Sequence, residues 1–129
     1  MPSLDNESRP RILVVEDDQN LNAFLAKVVQ RSGCTPVSAY TGEDALSILR
    51  NHGAPIDWLL TDIKLPGAID GWVVGSEFAL THPTRPVIYM SSVEEDSASR
   101  RSSNSIFLTK PVDANDLVTT FRRLGCVGL

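Results

Sequence analysis

Apolar residues fall along this chain in two alternating arrangements, short continuous runs and sets spaced three or four apart. Ile12 to Val15 is a run of the kind that forms a buried strand. Leu21, Phe24, Leu25, Val28 and Val29 follow at helical spacing, and Gly33 marks the stop. Thr35 to Ala39 reads as a weaker second strand. Thr41 with Asp44 three residues later resembles a capping box, opening a helix whose face carries Ala45, Leu46, Ile48 and Leu49. A third strand is expected over Asp57 to Thr61, ending at Asp62. A helix from near Trp72 to Thr81 then leads into a fourth strand, Pro86 to Met90, and Ile106 to Thr109 makes the fifth. Asp113 is placed to cap a last helix with Leu117, Phe121 and Leu124 on one face.

Strands alternating with helices at this spacing predict an α/β fold, a doubly wound parallel sheet covered on both faces. Five strands suggest the flavodoxin-like (βα)5 order 2-1-3-4-5, with strands 1 and 3 side by side. Residues 94–104 are rich in Ser, Arg and acids and offer almost no apolar face, so the fourth helix is expected to be short or mobile. Residues 1–10 read as a disordered lead-in, 11–125 as the single domain and 126–129 as a tail.

The 129 residues suit one domain with a real core. A net charge of −4 without a long basic run gives no electrostatic support for direct nucleic-acid or membrane-surface binding. No apolar stretch approaches the ~20 residues of a membrane span, and the polar start is unlike a signal peptide. Cys34 and Cys126 stand apart and outside any CxxC or Cys/His pattern, so two buried reduced thiols in a cytoplasmic protein are expected. His52 and His82, beside helix-ending signals without acid or Cys partners, read as surface residues. Trp58 and Trp72 read as core or rim packing, with Trp72 close enough to Asp70-Gly71 to report on a nearby site.

Candidate chemistry gathers at strand ends, where open α/β sheets bind ligands. Glu16-Asp17-Asp18 follows the first strand, Asp62 ends the third, Ser91 lies just past the fourth, and Lys110-Pro111 follows the fifth. Crowded carboxylates call for a cation. Oxygen ligands without a Cys or His cluster favour a hard ion such as Mg²⁺, held by Glu16 and Asp17 directly or through water. Lys110 near Asp62 would steady the carboxylate and then a transferred phosphoryl group. An aspartate can itself attack phosphorus to give an aspartyl phosphate, and Ser91 could hydrogen-bond the phosphoryl oxygens. Each piece alone has a plain structural explanation: a helix N-terminus collecting negative charge, a turn aspartate, a solvated lysine, a cap serine. Their joint placement points to a site.

These residues carry a family resemblance. The chain from Arg11 to Leu124 resembles a response-regulator receiver domain of bacterial two-component signalling, of the CheY-like superfamily. The match rests on Ile-Leu-Val-Val-Glu-Asp-Asp, Asp62 with its Leu-Pro-Gly turn, Pro-Val-Ile before Ser91, and Lys110-Pro111. The resemblance implies that Asp62 accepts a phosphoryl group from a histidine kinase or a histidine phosphotransfer protein. Glu16 and Asp17 match the family's acidic pair, with Asp17 the direct Mg²⁺ ligand and the carbonyl of Lys64 another. Ser91 matches the switch hydroxyl, Lys110 the family's lysine and Phe107 its rotating aromatic switch, and the bond before Pro111 is expected to be cis. Phosphorylation would draw in Ser91, let Phe107 turn, and reshape the face of fourth helix, fifth strand and last helix that a downstream partner reads. The same resemblance implies a regulatory phosphoacceptor, catalysing only its own phosphorylation and dephosphorylation, with homodimerisation open.

The turn Leu65 to Gly71 carries one residue more than the commonest family spacing, the segment from Ser91 to Lys110 is shorter than usual, and Lys64 and Val93 occupy positions that tune phosphate lifetime. A haloacid-dehalogenase-type hydrolase would want a second Asp where Lys64 stands, and no Gly-rich loop supports a P-loop enzyme. The remaining alternative is a phosphorylation-independent adaptor that keeps the fold. The chain is expected to act as a stand-alone receiver, through protein contact or within a phosphorelay.

Overall fold

A computed structural model describes residues 9–51, 55–92 and 104–126. Five strands, β1 (Arg11–Val15), β2 (Thr35–Ala39), β3 (Trp58–Asp62), β4 (Val87–Ser91) and β5 (Ser105–Thr109), form one sheet in the order β2-β1-β3-β4-β5. Every pairing is parallel, with Val15 opposite Ala39 and Thr61, and Asp62 opposite Met90. The described helices are α1 (Gln19–Arg31), α2 (Gly42–Leu49), α3 (Gly71–Thr81) and α4 (Ala114–Leu124). This is the expected flavodoxin-like architecture. The stretch expected to hold a further helix between β4 and β5 lies outside the described residues, as do His52 and most of the lead-in and tail.

Alternation along the strands divides the core in two. Ile12, Val14, Leu60, Ile88 and Met90 pack with Leu25, Val28 and Val29 of α1 and Leu117 and Phe121 of α4. Leu13, Val15, Leu59 and Tyr89 pack with Ala45 and Leu46 of α2 and Val74 and Phe78 of α3. The central strands β1, β3 and β4 are therefore almost wholly buried, which explains their unbroken apolar runs. After β1, β2, β3 and β5 a polar cap turns the chain into a helix. Asp18 accepts from Leu21 N at 3.0 Å, Thr41 from Asp44 N at 3.0 Å, Asp70 from Val73 N at 3.1 Å and Asp113 from Asn115 N at 3.1 Å.

The structure adds detail to several expectations. α1 starts at Gln19, ahead of its apolar stripe, because Asp18 supplies the cap. Pro10, assigned to the lead-in, is tied to the sheet edge, its carbonyl accepting from Thr35 N at 2.8 Å. Cys126, assigned to the tail, is fully buried, and Cys34 donates to its carbonyl at 2.6 Å. Both thiols are free, as expected. His82 is not a plain surface residue: half-buried, its ring stacks on Phe78 with centroids 4.2 Å apart. Trp58 is buried beneath the Arg85 guanidinium, 4.7 Å from its ring centroid. Among the described residues no helix is long and apolar enough to cross a membrane.

Candidate functional site

Adjacency of β1 and β3 brings Glu16 and Asp62 to the same crevice. Both are buried, at 1% and 4% exposure, which is unusual for carboxylates and needs a counter-charge. Lys110 supplies it. Its Nζ donates to Glu16 Oε1 at 2.8 Å and to Asp62 Oδ2 at 2.7 Å. The backbone places it there through Lys110 N, which donates to Ser91 O at 2.8 Å. The Lys110–Pro111 peptide is cis, as expected. Glu16 is also held by Asp18 N, which donates to Oε2 at 3.0 Å. Asp62 Oδ1 accepts no hydrogen bond among the described residues, leaving one oxygen of this carboxylate available.

Asp17 completes the rim. Carboxylate oxygens of Glu16, Asp17 and Asp62 lie within 4.8 Å of one another. Asp17 reaches solvent, yet its pKa is raised, first by partial desolvation and then by hydrogen bonding to, and repulsion from, Glu16. Burial alone would lower the Lys110 pKa, but hydrogen bonds to Asp62 and Glu16 outweigh it and hold the ammonium above its ordinary value. Three carboxylates facing one ammonium leave an excess of two negative charges, which a divalent cation offsets. An all-oxygen donor set suits Mg²⁺, so the residues fit the ion.

The remaining sequence candidates take different places. Ser91, 9% exposed, ends the strand beside Asp62, and its hydroxyl makes no hydrogen bond among the described residues. Lys64 is exposed, two residues past Asp62. Phe107 sits below the rim in β5, half-buried and stacked on Tyr89 with centroids 5.4 Å apart, and Trp72 lies 6.0 Å from it and 4.7 Å from Tyr89. Val93 lies outside the described residues.

The loop after β3 is fastened at several points. Gly71 N donates to Ile63 O at 2.8 Å, Ile63 N to Met90 O at 3.0 Å, and Ala68 N to Glu43 Oε2 at 3.3 Å. Gly67 takes φ +87°, a left-handed turn that favours glycine. Sequence reasoning overlooked Glu43, and it overlooked Asn22, a fully buried amide in α1. Asn22 breaks the apolar stripe of its helix, and that break is the only signal the chain carries of it.

A parallel sheet of this order, with acids and a lysine meeting at its carboxyl rim, defines a receiver-type phosphoacceptor fold. Residues 12–122 match the family model described as response regulator receiver domain, and the chain belongs to this family. Domains of the family are regulatory phosphoacceptors of two-component signalling that bind Mg²⁺ at an acidic pocket. The chain is 29% identical over 116 residues to the sensor kinase CckA of Brucella abortus, covering 88% of this chain and 12% of that protein. It is 30% identical over 117 residues to the transcriptional regulatory protein YbdJ of Bacillus subtilis, covering 88% and 50%. A response regulator receiver protein from Sinorhizobium medicae superposes with TM-score 0.83 at 28% identity, covering 92% of this chain and 95% of that one. The chain spans about half or less of the length of the curated relatives cited here.

Proposed function

We propose that this chain is a signalling switch that accepts a phosphoryl group on Asp62 in a Mg²⁺-dependent reaction. The carrying observation is the Lys110 ammonium, 2.7 Å from Asp62 and 2.8 Å from Glu16. With Lys110 on Oδ2, Asp62 Oδ1 is the attacking atom. Its lone pair forms the O–P bond as the bond from phosphorus to the donor imidazole nitrogen, or to the acetate oxygen of acetyl phosphate, breaks. The bond electrons leave with the donor, and the product is an aspartyl phosphate. Bound Mg²⁺ would supply charge neutralisation for the phosphoryl oxygens, held by Glu16, Asp17, Asp62 and the Lys64 carbonyl. Lys110 keeps Asp62 oriented before transfer and can shift to a phosphoryl oxygen afterwards, carrying its charge with the developing negative charge.

The proposed donor is a histidine kinase or a histidine phosphotransfer protein in the cytoplasm. The proposed readout begins at Ser91, whose unengaged hydroxyl suits a phosphoryl oxygen. It continues through Phe107, whose side chain would turn, to a downstream protein or a second copy on the β5–α4 face. The rival adaptor reading rests on residues 93–103, outside the described residues, and nothing described favours it. Acetyl phosphate labelling with and without Mg²⁺, read by intact mass on wild type and Asp62→Asn, tests the proposal. Mg²⁺-dependent labelling lost in Asp62→Asn is expected. Absence of labelling by acetyl phosphate and by a panel of phosphorylated kinases would overturn it in favour of the adaptor.

A further inference from the structure

Asn22 lies in the interior of α1 at 0% exposure, where an unsatisfied amide would be costly. Both of its donor hydrogens and its carbonyl oxygen are engaged at one place. Nδ2 donates to Glu16 O at 3.0 Å and to Ala39 O at 3.1 Å, while Oδ1 accepts from the Ser38 hydroxyl at 2.7 Å. Ala39 O also accepts from Glu16 N at 3.1 Å. The β1–β2 and β1–β3 ladders end at Val15, so the Glu16 carbonyl has run out of sheet partners and would be orphaned beneath the rim. Asn22 replaces the missing strand.

That carbonyl belongs to the peptide plane joining Glu16 to Asp17. Glu16 has further anchors, since its carboxylate is held by Lys110 and by Asp18 N. Asp17 makes no ion pair among the described residues, although the Lys110 charge reaches it. Its side chain is exposed and meets Glu16 by a hydrogen bond, and it leaves the backbone at the plane that Asn22 fixes. Building on the reading of Asp17 as a Mg²⁺ ligand, we propose that Asn22, oriented by Ser38, is a positioning residue of the rim that aims Asp17 at the metal. Outer groups that orient metal ligands typically change metal affinity by 10- to 100-fold when removed.

A Mg²⁺ titration of the ¹⁵N-labelled full chain, followed by amide shifts at Asp17, Asp18 and Ile63, separates aim from packing. Asn22→Ala is expected to raise the Mg²⁺ Kd by about tenfold, and Ser38→Ala by a smaller factor, because the amide loses only its orienting partner. The decisive arm is the cycle with Asp17→Asn. In that background Asn22→Ala should weaken Mg²⁺ binding no further, whereas Val28→Ala should lower Tm without moving the wild-type Kd. Wild-type affinity in Asn22→Ala, or a full loss added on top of Asp17→Asn, would overturn the proposal. If Asn22→Ala fails to fold, Ser38→Ala in both backgrounds decides by the same criterion. A wild type that binds no Mg²⁺ overturns it as well. One that binds Mg²⁺ but is never phosphorylated removes the phosphoacceptor reading and leaves the role of Asn22 standing.

Discussion

Lys110 holds two buried carboxylates 2.7 and 2.8 Å from its ammonium, and this one side chain decides whether the metal-free rim is tolerable. Lys110→Met would leave Glu16 and Asp62 buried against each other with no counter-charge. Breaking a buried pair costs about 3–5 kcal/mol, and partial solvent access at this lysine lowers that to about 2–3 kcal/mol. Urea unfolding without metal should report that loss. Added Mg²⁺ should recover more stability in the variant than in wild type, because a cation binds the more negative site more tightly and stabilises only the folded chain. An equal Mg²⁺ response in both proteins would refute this charge argument. The Cys126 thiol behaves differently. Burial, and secondarily the neighbouring Cys34, pushes the Cys126 thiol up to about 12 from an ordinary 9.0. Between these values the unfolded chain releases a proton that the folded one keeps, so stability falls as pH rises from 9 towards 12. The slope from this one group is at most about 1.4 kcal/mol per pH unit. Chemical unfolding at pH 8 and pH 10 should show a shallower loss in Cys126→Ala than in wild type.

Helix α3 shows what elements require beyond their own pattern. It lies close to the sheet because Gly71 and Gly75 face it. A Cβ at Gly75 would stand 2.0 Å from the Tyr89 hydroxyl and 2.8 Å from its ring, and Tyr89 is too buried to retreat. Alanine's better helix propensity offers about 1 kcal/mol. The clash forces α3 off the sheet, and overpacking of this kind costs about 1–3 kcal/mol, so Gly75→Ala should be destabilising. Its near-UV circular dichroism should change as the Trp72–Tyr89 pair, 4.7 Å between centroids, is disturbed. Tyr89→Phe should restore part of the stability but not all, because the ring carbon remains in the way. Such contacts are illegible in the sequence, where Gly75 is one small residue inside an apolar stretch. The strands were legible because central parallel strands are apolar on both faces, and the caps Thr41 and Asp113 because their chemistry is local. Glu16, Asp17 and Asp62 were legible because each follows or ends such a strand, and Lys110 because it follows the apolar run of the edge strand β5. Asn22 and Glu43 act through backbone groups 6 to 25 residues away, on elements whose approach no local pattern encodes.

A parallel sheet has two unlike ends, and in this molecule the charges divide between them. Glu16, Asp17, Asp18, Glu43, Asp44, Asp62, Asp70, Asp113 and Asp116 all sit at the carboxyl rim or in the first turns of helices leaving it, opposed there by Lys64 and Lys110. Arg9, Arg11, Arg31, Arg50, Arg85, Arg122 and Arg123 lie at the opposite end, where strands begin and helices finish, with the acids Asp57 and Glu77 among them, Glu77 paired to Arg50 at 3.2 Å. Among the described residues the molecule is thus strongly polar along the strand axis, although its net charge is only −4. Acids in first turns and arginines in last turns also suit the helix dipoles, so the same distribution serves the helices and the rim. Its consequence at the site is a negative field that concentrates divalent cations and repels anionic donors such as acetyl phosphate. Several of these acids stand apart from the metal ligands, and at about 0.1 M salt the screening length is about 10 Å, so their share of the field should be removable by salt. Raising KCl should therefore weaken Mg²⁺ binding in a titration, yet speed acetyl phosphate labelling when Mg²⁺ is kept saturating. Opposite responses of the two steps would place the effect in the field of the whole rim. If salt slows both steps alike, the contacts immediately around Asp62 outweigh that field, and the distant acids serve the helices alone.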